Sequence, residues 1–144
     1  MDRLRDSRIV RSQRGTSMLE MVIVLPLLLL MLFGMAEFGL AFGRWLTINN
    51  AAREGAREAI VFRKDCAVAP VEAEVLAVVQ NYTAALGLDV QAGDVVIAGA
   101  CGGGGSDASV TVTVPYDFLV LDAIAPSLGT SIPLEGSSVM RNEG

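Results

Sequence analysis

Histidine is missing from all 144 residues. Its absence removes the commonest general base and the commonest metal ligand near neutral pH. Cysteine is scarce too: Cys66 and Cys101 stand alone, without a CxxC spacing, so no metal site is expected. Basic residues nearly vanish beyond Lys64, where Arg141 faces ten acids in residues 65–144. With a net charge of −5, the chain lacks the clustered Lys and Arg that phosphate contacts demand, which excludes nucleic acid as the main partner. No SxxK or GxSxG motif occurs, and ten dispersed carboxylates define no acid–base pair. The expectation is therefore a protein that is not an enzyme and uses no cofactor. Gly102–Gly105 is not followed by Gly-Lys-Ser/Thr and reads as a flexible hairpin loop rather than a phosphate cradle.

What the chain does have is apolar surface, 52% of its residues, at a length that suits one domain. Met21 to Ala36 carries no charge, and with Glu37 allowed the apolar character runs on to Gly43. As a helix those positions span roughly 34 Å, enough to cross a bilayer core of about 30 Å. Residues 1–14 hold five arginines against two aspartates, a local net of +3, whereas residues 65–144 net −9. The positive-inside rule then puts the N-terminus in the cytoplasm and the C-terminal part outside. A removable secretory signal would have an apolar core of only about 7–15 residues before a small-residue cleavage site. Pro26 lies inside the span and frees the carbonyl of Val22, predicting a kink. Gly39 and Gly43 form a small-xxx-small pair suited to close helix approach, or are simply glycines that a membrane helix tolerates.

The junction reads RSQRGTSMLEMVIVLP, with Glu20 at the mouth of the apolar run. A carboxylate entering hydrocarbon costs on the order of 3 kcal/mol. Glu20 either snorkels into the headgroups or compensates a positive charge at its own depth. Cleavage after Gly15 would create such a charge, the α-ammonium of Thr16.

Gly15 followed by Glu20, at the fifth position of a new N-terminus, resembles the prepilin signal of type IV pilins and pseudopilins. The longer run from Arg14 to Ala59 is similar to the TadE-like family, minor pilins or pseudopilins of tight-adherence (Flp-type) pilus systems. Arg14-Gly15, Glu20, Leu25-Pro26, Glu37-Phe38-Gly39 and Asn50 to Arg57 carry the resemblance, and Val139 to Glu143 looks like the family's ending. It implies a prepilin peptidase substrate cut between Gly15 and Thr16, whose Glu20 pairs with a neighbouring subunit's N-terminus. Implied partners are the peptidase, other pilin-like subunits, pilus assembly platform proteins and the bacterial cytoplasmic membrane. One departure is Thr16, since such mature chains often begin with a bulky apolar residue. The alternative is an unprocessed single-pass scaffold of an envelope secretion machine.

Glu37 lies roughly 100° around the helix from Glu20, so the two acids share no face. It is open to snorkelling or to a packing and partner-contact role. Beyond Arg44 a 3.6-residue period predicts that the helix continues to about Arg63, with Asp65 as the first breaker. Ala51, Gly55 and Ala59, with Ala52 and Ala56 beside them, form a small-residue ridge suited to close packing.

The chain thus divides into a basic leader (1–15), a transmembrane and stalk helix (16–64) and an extracytoplasmic head (65–144). In the head, Pro70 and Gly87 bracket a helix whose apolar face is Val71, Val75, Val78, Val79, Tyr82 and Leu86. Asp94–Ala100 reads as a strand, and so do Val110, Val112 and Val114 in alternation, ended by Pro115. Tyr116–Ile124 reads as a short helix or loop, and Ile132–Met140 as a final strand broken near Gly136. The fold class expected is α+β: a long helix followed by a small antiparallel sheet with one or two packed helices. An oxidising periplasm favours a Cys66–Cys101 disulfide, with two free thiols as the alternative.

Overall fold

The computed structural model describes residues 3–61, 66–124 and 131–142. Helix α1 covers Arg3–Ala59 and helix α2 covers Val68–Ala84. Strand β1 (Val95–Ala98), strand β2 (Asp107–Asp117), the short helix α3 (Leu119–Ile124) and strand β3 (Ser131–Arg141) complete the chain. The strands form an antiparallel sheet in the order β1-β2-β3. The architecture is α+β, as expected.

Compact packing divides the chain into Met1–Phe38 and Gly39–Gly144. In the first unit the side chains from Thr16 onward are exposed, apart from Glu37 at 7%. In the second, the last five turns of α1 and the whole of α2 share a core with the sheet. Valines alternate along β2, so Ala108, Val110, Val112, Val114 and Tyr116 turn inward while Thr111 and Thr113 do not. Val71, Val75, Val79 and Thr83 form the inward ridge of α2 at four-residue spacing. Gly55 lies where the three elements meet: a Cβ built there would stand 3.1 Å from Val79, 3.3 Å from Val75 and 3.4 Å from Val110.

The structure departs from the sequence expectations at several points. Helix α1 begins at Arg3, not at Thr16 where the transmembrane and stalk helix was expected to start. Leu4, Arg5, Arg8, Arg11 and Gln13 are good helix formers, no proline interrupts them, and a nucleated helix extends cheaply. It ends at Ala59, and a turn closes with the Val61 amide donating to Glu58 at 3.2 Å. The expected end at Arg63 and the breaker Asp65 lie outside the described residues.

Tyr82 of α2 is 46% exposed, Leu86 lies two residues past the helix end and is 49% exposed, and Thr83 takes the buried position instead. Its hydroxyl donates to the Val79 carbonyl at 3.0 Å, which satisfies the polar group within its own helix.

Pro115 does not end β2. The strand runs through it to Asp117, with Pro115 opposite Pro133. Facing prolines leave a ladder intact where the pair is of the kind that exchanges no amide hydrogen bonds. β1 reaches only as far as Val112, so no second neighbour strand demands the missing donor.

Nor is β3 broken at Gly136. The strand is continuous, and the glycine is there because α1 lies directly on it: a Cβ would sit 2.8 Å from the Asn49 nitrogen and the Ile48 carbonyl carbon. Only a residue without a side chain admits that approach.

Candidate functional site

The sequence places the chemistry of this chain along α1. Gly15 and Thr16 lie within the helix, and Thr16 and Glu20 are exposed. Among the described residues Glu20 enters no ion pair. Gly15 is the weakest helix former in this stretch, by about 1 kcal/mol relative to alanine, so local unwinding is easiest there.

From Met18 to Phe42 nearly every large apolar side chain is exposed, including Ile23, Leu27, Leu28, Met31 and Phe38. Among the described residues one helix, from Thr16 to Ala59, is long and apolar enough to cross a membrane. The helix passes through Pro26. Nothing lies within 4 Å of the Cβ positions of Gly39 and Gly43, so within this chain their surface is open. Glu37 is the one buried charged residue described in the chain, and it is not without an interaction partner.

The small residues behave differently. Ala51, Ala52 and Ala56 are fully buried and Ala59 is 3% exposed, all in the core with Ile48. Their closeness to the sheet is what Gly55 and Gly136 permit. On the solvent side, Arg57 and Glu54 pair at 3.2 Å. With both side chains well exposed, such a pair contributes only a few tenths of a kcal/mol.

Sequence reading missed three features here. Ile48 is the largest side chain that α1 buries completely. The guanidinium of Arg44 stacks over the Tyr116 ring, 5.1 Å from its centroid. Tyr116 in turn meets Phe118 edge-on at 5.1 Å. Ile48 falls on the same period as the alanines and was legible; the Arg44–Tyr116 contact joins distant segments and was not.

Cys66 and Cys101 form a disulfide, with their Cα atoms 5.6 Å apart. It ties the start of the segment leading into α2 to the loop between β1 and β2. That loop is held, not loose. Asn142 accepts from the Gly105 amide at 2.7 Å, donates its own amide to Ser106 at 2.8 Å, and its side chain donates to the Gly102 carbonyl. Cys101 itself adopts φ +63°, a conformation that favours glycine, between Gly99 at +75° and Gly105 at +85°.

Among the described residues no group of His, Cys, Asp or Glu is arranged to hold a metal. A groove between α2 and β1, lined by Ala69, Leu76, Val95 and Ile97 among others, contains Glu72 as its one ionisable side chain. A single carboxylate supplies no acid–base pair.

No curated protein and no solved structure matches the chain. The family model described as TadE-like protein matches residues 15–57, which begin at Gly15 and take in Glu20, the apolar run and the alanine ridge. Over those residues the N-terminal helix is similar to TadE-like proteins.

Proposed function

We propose that this protein is a membrane-anchored subunit of a Tad/Flp-type pilus system, acting by association and not by catalysis. The observation that carries this is the coincidence of the TadE-like match with a long helix nearly all of whose large apolar side chains from Met18 to Phe42 are exposed. Such a surface is costly in water, on the order of 25 cal/mol per Å², and is relieved by lipid or by other apolar helices.

In this reading a prepilin peptidase cuts between Gly15 and Thr16 on the cytoplasmic side of the inner membrane. The α-ammonium released on Thr16 is cationic at neutral pH. Glu20 of an adjoining subunit neutralises it, and the head stays outside the membrane as a minor pilin or pseudopilin. The subunit then enters the filament or primes its assembly alongside the platform proteins.

N-terminal sequencing of protein recovered from cells tests the first step. A chain beginning at Thr16 is expected, and Glu20→Ala is expected to abolish maturation or fibre output. Material that still begins at Met1 in the presence of active peptidase would favour an unprocessed scaffold of the secretion machine.

A further inference from the structure

We infer that the groove between α2 and β1 receives an extended, basic segment of another protein chain, which adds as a strand to the free edge of β1. The groove lies wholly within Gly39–Gly144, so the inference stands apart from the membrane-spanning reading.

The ladder shows which backbone groups are open. Pro115 faces Pro133 and neither has an amide proton, so that pair exchanges no hydrogen bonds. The two kinds of pair alternate, so Val110 and Val112 bond β3 while Ser109 and Thr111 turn their amides and carbonyls towards β1. The Asn142 amide, donating to the Ser106 carbonyl at 2.8 Å, obeys the same parity. Ser109 and Thr111 face Ala98 and Val96, which leaves the backbone groups of Val95 and Ile97 pointing away from β2.

The Val95 amide donates to the Ala92 carbonyl. Among the described residues the Val95 carbonyl and both backbone groups of Ile97 have no partner. These are the groups that an added strand bonds. On β3, the other edge strand, Pro133 places a missing donor on the outward side.

The space beside the β1 edge is about 600 Å³, within the range of ligand clefts. Ala69, Ala73 and Leu76 of α2 line it together with Val95 and Ile97. Its walls are fixed in advance. The Gln80 side chain donates to the Val90 carbonyl at 2.8 Å, and the disulfide ties Cys66, ahead of α2, to Cys101, beyond β1. The Asp94 carboxylate is engaged, accepting from the Gln91 amide at 2.8 Å. Glu72 is exposed and has no ion pair or hydrogen bond among the described residues.

An open carboxylate in an apolar groove calls for a cation. A second head does not supply it, because residues 65–144 hold one base, Arg141, against ten acids. The occupant is therefore an extended segment of a different chain, with Lys or Arg beside apolar residues.

The full chain in detergent is titrated with the fluorescein-labelled peptide Thr-Lys-Thr-Val-Thr-Lys-Thr, read by anisotropy. Its valine and lysines share one face of a strand. One control peptide carries glutamates in place of the lysines. A second is N-methylated along its backbone, which keeps the charge and removes the strand bonds. Saturable binding of the lysine peptide is expected, and of neither control. Glu72→Gln is expected to weaken binding about tenfold. Glu135→Gln, the same change of charge at an exposed position of β3, is expected to leave it unaltered. Ile97→Pro removes the edge amide and is expected to weaken binding more than Ile97→Ala, which keeps it. Equal weakening by Glu72→Gln and Glu135→Gln, or binding of the N-methylated peptide, means diffuse charge attraction and overturns the inference. So does equal binding of the glutamate peptide, or no binding at all. Self-association of the chain that Ile97→Pro abolishes, with no peptide bound, assigns the edge to a second copy and overturns it too. None of these outcomes bears on cleavage after Gly15.

Discussion

Residues 16–38 and 39–59 belong to the same helix and differ in what their side chains meet. The first stretch is large, apolar and exposed, with leucines, methionines and phenylalanines that touch little within the chain. The second turns a ridge of small residues inward, with Ala51, Ala52, Gly55, Ala56 and Ala59 in the core with valines of α2 and β2. Helix propensity does not separate them. What does is the partner each is shaped for: bulk where the neighbour is lipid or another subunit, and minimal side chains where the neighbour is the chain's own backbone.

Perturbations of the two stretches should therefore report on different things. The largest effect on the head is expected from its disulfide. Removing it by Cys66→Ser with Cys101→Ser should lower stability by about 3–4 kcal/mol on the chain-entropy account, read by thermal unfolding of the detergent-solubilised protein. In the other stretch, Leu28→Arg should cost about 2.5–3.5 kcal/mol in membrane insertion and leave head unfolding unchanged. A shifted head transition in that variant would break the division between the two.

Gly136→Ala is expected to destabilise the head by about 1–3 kcal/mol, because its Cβ meets backbone that cannot rotate away. The finest comparison is between glycines. Gly55→Ala should cost up to about 2 kcal/mol, since overpacking against Val75 and Val79 outweighs the gain in helix propensity. Gly39→Ala meets nothing and should leave the isolated chain unchanged or firmer by up to about 1 kcal/mol. If Gly39→Ala nevertheless weakens co-purification with other pilus subunits, its open surface is a subunit contact.

The sequence foretold the helix, the α+β class and the alternating strand because each is a local pattern with its own period. The misreadings share a cause: the meaning of a residue was set by something distant. Gly136 looks like a weak point in a strand until α1 is laid across it. Pro115 looks like a terminator until its partner proves to be another proline. Thr83 looks polar, and Tyr82 apolar, until the threonine hydroxyl turns back to its own helix. The candidate processing site was legible for the opposite reason: Gly15, Thr16 and Glu20 are contiguous, so the resemblance needed no tertiary information. The Arg44–Tyr116 stack, which joins α1 to β2, needed all of it.

The bare contact between Gly136 and the peptide joining Ile48 to Asn49 has a mechanical consequence. Side chains usually act as springs between a helix and a sheet, yielding by rotamer changes before either backbone moves. At this point there is no spring. Traction along α1 near Asn49 reaches β3 almost undamped, and a sheet held this way moves with its helix instead of sliding over it.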